Sequence, residues 1–187
     1  LINLAIAPYS SQVSIAAING PQSIVISGHS KAIDAIVAEL KTKQIKTHEL
    51  TVSHAFHSPL MEPVLKPFAQ VAGEVTYSVP KIPLISNITG ERVTDDVATS
   101  DYWTRHIRQA VRFADGMNTL QKIGIECFVE IGPKPILLGM GVSCLVDEEK
   151  RLTWLPSIRP DTESSTVVES LAQLYVRGVN INWKEFF

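Results

Sequence analysis

Thr47-His48-Glu49-Leu50-Thr51-Val52-Ser53-His54-Ala55-Phe56-His57-Ser58-Pro59-Leu60-Met61 is the stretch on which the reading of this chain turns. Its first half alternates and predicts a strand over Thr47–Val52. From Met61 to about Val71 an apolar periodic segment predicts a helix, with Pro63 in the first turn, where proline is tolerated. Pro67 is expected to bend or divide that helix. Between the two elements His57 falls in a bend, and loops held by rigid elements commonly carry chemistry. An imidazole there can serve as a general base near neutral pH.

Outward from this stretch, Val13–Ile18, a turn at Asn19-Gly20-Pro21 and Ser23–Ser27 predict a hairpin. A helix from about Lys31 to Lys43 follows, with Ile33, Ile36, Val37 and Leu40 on one face. With Thr47–Val52 this order fits part of a ferredoxin-like unit. Downstream, a short strand is expected over Ile82–Asn87, and a helix capped by Asp101 runs to about Arg108. A second helix covers about Ala114–Ile123, a strand Cys127–Ile131, and a third helix Ile136 to about Leu145. Strands alternating with helices predict an α/β layered fold with a parallel sheet. From Asp147 the texture changes to a solvated run, Asp147-Glu148-Glu149-Lys150-Arg151. An extended segment around Trp154–Pro160 and an amphipathic helix over Ser165–Arg177 follow, the helix ended by Gly178.

Composition narrows the function classes. The 187 residues are 45% apolar, enough for a real core, and carry a net charge of -2 with no basic run for nucleic acid. No apolar run is long enough to span a bilayer. Leu1–Ala7 is apolar but short and lacks a basic flank, so it does not read as a signal peptide. With no initiating methionine, the chain reads as a piece of something longer. The two cysteines, Cys127 and Cys144, suit reduced structural thiols in a cytoplasmic protein, and no Cys/His spacing suggests zinc.

Four ordered motifs carry a resemblance. Ser53-His54-Ala55-Phe56-His57-Ser58-Pro59-Leu60-Met61 resembles the histidine motif of the acyltransferase domains of modular polyketide synthases, relatives of malonyl-CoA:acyl-carrier-protein transacylase. Tyr102–Phe113 is similar to that family's YWxRHxRxxVRF segment, and Phe128–Leu137 to its FxEIGPxPxL strand-loop-helix. Leu155-Pro156-Ser157-Ile158-Arg159 with Leu171–Trp183 resembles the linker after the domain, which packs toward the ketosynthase. The resemblance implies the C-terminal part of an α/β-hydrolase-like acyltransferase with most of its inserted ferredoxin-like subdomain. Residues 1–52 would be part of that subdomain, 53–146 the large subdomain, and 147–187 the linker. The family's nucleophilic serine, in a GHSxG elbow, its carboxylate-binding arginine and its oxyanion-hole glutamine lie upstream and are absent from these residues.

The same resemblance assigns roles. His57 matches the catalytic histidine, which takes the serine proton and returns it to the departing thiol. A backbone carbonyl, expected at His106, would fix its tautomer. The alternative for His57 is a capping or core histidine. His54 and Phe56 occupy the positions that distinguish extender units, and His-Ala-Phe-His resembles the malonyl-selective version; Phe56 would fill the room a 2-methyl group needs. The alternative for Phe56 is simple packing. Asn19, in the turn, and Lys46, opening the third strand, could touch CoA or phosphopantetheine, or be ordinary surface residues. Arg105 and Arg108 suit structural ion pairs. No metal or redox cofactor is implied; the substrates would be malonyl-CoA and a phosphopantetheinyl acyl carrier protein, and the piece alone is expected to be inactive.

Two further readings stand beside this one. Gly28-His29-Ser30-Lys31-Ala32 looks like a nucleophile elbow, which would make a serine hydrolase of Ser30 and His57. Ala32 stands where a tight elbow prefers glycine, so Ser30 is expected to cap the helix instead. A docking module for ketosynthase or carrier protein, built on the helix from Ser165, is the non-enzymatic alternative.

Overall fold

In the computed structural model, which describes residues 1–146 and 151–186, the fold is α/β. The run Asp147-Glu148-Glu149-Lys150 expected to be solvated lies outside the described residues. The chain forms two compact units, Leu1–Thr119 and Leu120–Phe187.

The first unit begins with a short helix, α1 (Ile2–Ile6), and a hairpin of β1 (Val13–Gly20) and β2 (Ser23–Gly28). The strands pair antiparallel from Val13 opposite Gly28 to Gly20 opposite Ser23, with register shifts at Ile15/Ala17 and Ile18/Gly20. The helix α2 (Ser30–Thr42) lays Ala32, Ile36 and Leu40 against Ala5, Ile6 and Val13. Three- and four-residue spacing puts those side chains on one stripe. Ile36 is wholly buried, and truncating such a residue to alanine costs about 2–5 kcal/mol.

The turn from β2 into α2 depends on close approach. Gly28 sits so near Gln12 that a Cβ would fall on the Gln12 carbonyl oxygen and crowd the Val13 backbone. That same carbonyl accepts the N–H of His29. The contact keeps His29 extended, so the helix starts one residue earlier than a Ser30 cap would require. Ser30 is therefore the first helical residue; His29 is the cap residue, and its side chain makes no capping bond. The expected Ser30 cap is corrected accordingly.

Other expectations are corrected too. Thr47–Val52 is exposed and joins no ladder among the described residues. Alternation permits a strand, but a strand needs a partner for its backbone groups. The outer edge of β1 is met instead at Val111: Val111 N–H donates to Ala16, and Ile18 N–H donates to Val111. Ile82–Asn87 contributes one bridge, Ile85 to Arg92, because Pro83 lacks a donor and the chain already turns at Ser86–Gly90. Asn19 lies within β1 at its second irregularity rather than in the turn.

The helix α3 (Glu62–Gly73) accepts Pro63 in its first turn and continues through Pro67 undivided. It packs against α4 (Ser100–Arg108). The cap of α4 is Thr99, whose Oγ1 accepts the Tyr102 N–H at 3.3 Å; Asp101 lies in the first turn, two residues past the cap, and pairs with Arg105 at 2.8 Å. Tyr102 is buried with Ile88 and Val97, and its hydroxyl meets Ser86 Oγ at 2.8 Å. The helix α5 (Phe113–Lys122) follows.

In the second unit β3 (Cys127–Glu130) and β4 (Thr153–Pro156) pair in parallel, with α6 (Ile136–Cys144) between them in sequence. Phe128 stacks on Trp154 with centroids 4.5 Å apart. Glu130 accepts the N–H groups of Ile136, Leu137 and Leu138 at 3.1, 3.1 and 2.8 Å, satisfying the start of α6 and placing an anion at its positive end. Ser157 Oγ accepts the Gly132 N–H at 3.0 Å and so clasps the loop between them. The helix α7 (Glu163–Val176) is tied to β4 by Ser170 Oγ, which donates to the Pro156 carbonyl at 2.7 Å; α8 (Trp183–Phe186) ends the described chain.

Gly28→Ala tests the hairpin-to-helix contact. In the domain that contains this chain it should lower stability by about 1–3 kcal/mol, the usual cost of forcing atoms into a filled space. Thermal unfolding unchanged by the substitution would contradict the close approach to Gln12.

Candidate active site

The loop before α3 is closed by a buried serine. Ser58 is 0% exposed; its Oγ donates to the Ala55 carbonyl at 2.6 Å and accepts the Leu60 N–H at 3.3 Å. This caps the short turn Pro59–Met61 that leads into α3. The tight closure leaves His57 in left-handed backbone conformation, φ 62°. A residue with a Cβ resists that region by about 1–3 kcal/mol, so surrounding bonds must hold it there.

Two bonds to the end of α4 do so. The His57 N–H donates to the Ile107 carbonyl at 2.9 Å, and Nδ1 of the ring meets the Gln109 carbonyl oxygen at 2.7 Å. A carbonyl can only accept, so the neutral ring carries its proton on Nδ1 and keeps a lone pair on Nε2. The expectation that His106 supplies this carbonyl is corrected. A carbonyl inside the helix points along its axis, whereas Gln109, with ψ 153°, is the first residue past the helix. Its N–H closes the last turn onto Arg105, and its own carbonyl turns outward to the histidine.

His106 contributes its ring instead. It lies 6.0 Å from the His57 ring, edge to face, with Tyr102 and Trp103 at 6.1 and 5.9 Å on other sides. Burial lowers the His106 pKa from its ordinary 6.5, and the charge that His57 can acquire lowers it further. A value below that of the unfolded chain means that protonating His106 opposes folding. The stability it confers is intact above about pH 6.5 and is lost as pH falls through the folded value.

His57 is half-buried and Phe56 beside it is 48% exposed, so the ring faces an approachable surface rather than a sealed interior. Phe56 lies 6.1 Å from His54 and 6.4 Å from His57. His54 Nδ1 meets Ser53 Oγ at 2.9 Å. Among the described residues no three metal-ligating side chains gather, at His54 and His57 or elsewhere. Arg108 anchors the arrangement: Nε donates to Glu62 at 2.6 Å and Nη1 to Ser14 Oγ at 3.3 Å, tying α4 to α3 and β1. Arg105 is held by Asp101 and, at 3.5 Å, Asp96. Asn19 is half-buried in β1 and Lys46 is exposed; neither belongs to the ring cluster around His57. Ser30 is exposed at the start of α2, with no side-chain bond to His57.

The sequence reading missed Gln109, Ser58, and the bridging of Arg108 to Glu62 and Ser14. The signals were available: a serine before proline is a cap pattern, and the first free carbonyl of a helix lies beyond its last turn.

Comparison with known proteins gives one answer. The acyl transferase domain family matches residues 2–181. Polyketide synthase GfsA of Streptomyces halstedii is 42% identical over 180 residues, which are 95% of this chain and 2% of that protein. The crystal structure of the acyltransferase domain from the second module of the salinomycin polyketide synthase superposes with TM-score 0.90 at 43% identity. That match covers 97% of this chain and 42% of that one. Malonyl-CoA:acyl carrier protein transacylase (FabD) from Xanthomonas oryzae shares the fold, with TM-score 0.77 at 23% identity over 90% of this chain and 53% of that one. The chain therefore spans a small fraction of a whole synthase and less than half of a solved synthase acyltransferase domain.

The tautomer is directly measurable. Long-range 15N–1H correlation spectra of the domain should show neutral His57 protonated on Nδ1. A neutral ring protonated on Nε2 would remove Gln109 as its partner.

Proposed function

Because the chain belongs to the acyl transferase domain family, we propose that it supplies the general base for malonyl transfer from CoA to an acyl carrier protein. The supporting observation is the His57–Gln109 bond, which leaves Nε2 as the free basic atom. The serine it activates lies in sequence outside these 187 residues. Nε2 takes the hydroxyl proton as the serine oxygen attacks the malonyl thioester. The tetrahedral intermediate collapses, breaking the C–S bond, and the imidazolium returns the proton to the CoA thiolate. The second half runs in reverse with the phosphopantetheine thiol as nucleophile, regenerating serine. No metal or redox group is required by these steps. With CoA as donor, the reaction belongs to the cytoplasm; no helix among the described residues is long and apolar enough to cross a membrane.

Malonyl preference is assigned to His54 and Phe56; the Phe56 ring lies 6.1 Å from that of His54 and 6.4 Å from that of His57. A methyl-sized difference is worth only about 1–3 kcal/mol in such a pocket, so this pair biases the choice of extender rather than deciding it alone. Asn19 and Lys46 are proposed contacts for the CoA or phosphopantetheine arm, Lys46 as an exposed cation for phosphate. Residues 1–52 are assigned to a ferredoxin-like subdomain, 53–146 to the large hydrolase-like subdomain, and 147–187 to a linker that packs toward a ketosynthase. The naming of GfsA as a polyketide synthase supports carrier protein and ketosynthase as partners in the same assembly.

Labelled malonyl-CoA tests the reading. The complete domain should take up stoichiometric label and pass it to carrier protein, and His57→Ala should slow uptake by at least about a hundredfold, the low end for a general base. Residues 1–187 alone should take up none; label on Ser30 would overturn the assignment. Phe56→Ser should improve methylmalonyl over malonyl by about tenfold, within the range set by one methyl group; an unchanged ratio would return Phe56 to a packing role.

A further inference from the structure

His106 has a ring with three aromatic neighbours and no hydrogen bond from any described protein group. What it offers His57 is therefore an edge and a face. The base itself turns about its χ angles, and one hydrogen bond, to Gln109, sets its rotation. A single bond to a carbonyl defines a direction but leaves the ring free to swing about it. The His106 ring, fixed between Tyr102 and Trp103, stands against that swing. Tyr102 is itself fixed by burial and by Ser86, and Trp103 by its Nε1–H, which donates to the Val97 carbonyl at 3.0 Å.

We propose that His106 is a positioning residue for His57: an uncharged aromatic wall that holds the base in the orientation where Nδ1 meets Gln109 and Nε2 faces the reacting groups. The inference rests on His57 being the base.

Neutrality is part of the role. The base becomes a cation midway through each half-reaction, and a second cation 6.0 Å away would oppose it. The charged groups on the surrounding elements are Glu62 and Lys66 of α3, Asp95 and Asp96 of the turn before α4, and Asp101, Arg105 and Arg108 of α4 itself. The loop adds His54 and His57. Glu62 is paired with Arg108, and Asp96 and Asp101 with Arg105; Asp95 is the remaining carboxylate of these elements, and among the described residues no ion pair or hydrogen bond joins it to His106. Its burial and the nearness of His57 work in the same direction.

Steady-state transfer from malonyl-CoA to carrier protein, measured across pH in the complete domain, tests this with variants chosen to separate wall from charge. His106→Ala should lower kcat by about tenfold with KM within twofold, the pattern of lost orientation rather than lost binding. His106→Phe, which restores a ring without a titrating group, should recover most of that loss. His106→Lys should lower the plateau and move the acid limb of the profile down by about half to one pH unit, since a fixed cation disfavours protonated His57. A residue serving only the fold would move melting temperature without moving that limb. Full activity in His106→Ala, or a well-folded His106→Phe as impaired as alanine, would overturn the proposal. His57→Ala run alongside keeps the two claims apart. Activity surviving that change would remove the general base, whereas an inactive His57→Ala with an untouched His106→Ala would remove only the wall.

Discussion

The short strap from Ile107 to Val111 is the constraint on which the first unit turns. It leaves α4 extended and spreads its backbone and side-chain bonds over several different neighbours. Ile107 and Gln109 present carbonyls to the backbone and ring of His57, Arg108 reaches Glu62 of α3 and Ser14 of β1, and Val111 exchanges bonds with β1 on both sides. Arg112 then donates its N–H to Asn87. Helix pair, hairpin and loop are thus indexed to a few consecutive residues. A shift of that strap by one position would turn these groups away from their partners and break the contacts together. This is why a backbone group, which cannot change rotamer, is a dependable partner for an imidazole.

The left-handed backbone at His57 belongs to the same logic. Ser58 closes the loop on one side and Ile107 takes the N–H on the other, so the strain is distributed over bonds that exist for structural reasons. Released, the loop would relax to an ordinary conformation and carry the ring off its carbonyl. The placement of the His57 ring therefore depends on the Ser58 and Ile107 bonds.

Much of this was legible in the sequence, and the failures share a cause. The hairpin, α2, α5, β3, α6 and α7 were readable because each has a local pattern: alternation, a helical stripe, or a glycine stop. The family was readable because ordered motifs survive without coordinates. Thr47–Val52 misled because alternation reports which residues could pair, not whether a partner is present. Asp101 and Ser30 misled because a cap is defined by where the backbone first turns helical. At Ser30 that point was moved by the contact between Gly28 and Gln12, distant enough in sequence to leave no local trace. The His106 carbonyl was placed by motif when helix geometry pointed past Arg108 to Gln109. What pattern cannot encode is which end of an element a distant group will use.

An orienting carbonyl also suits the proposed chemistry better than a carboxylate would. A carboxylate beside Nδ1 would stabilise the imidazolium by charge and make the base harder to deprotonate. That helps where a poor leaving group such as an amine must be handed a proton. A thiol leaves far more readily, its pKa lying near 8.5, so the transfer needs little acid assistance and gains from a base that returns to neutrality quickly. The carboxylates of Glu62, Asp96 and Asp101 are each paired with an arginine of α4. The carbonyl of Gln109 sets the tautomer without adding a second titration.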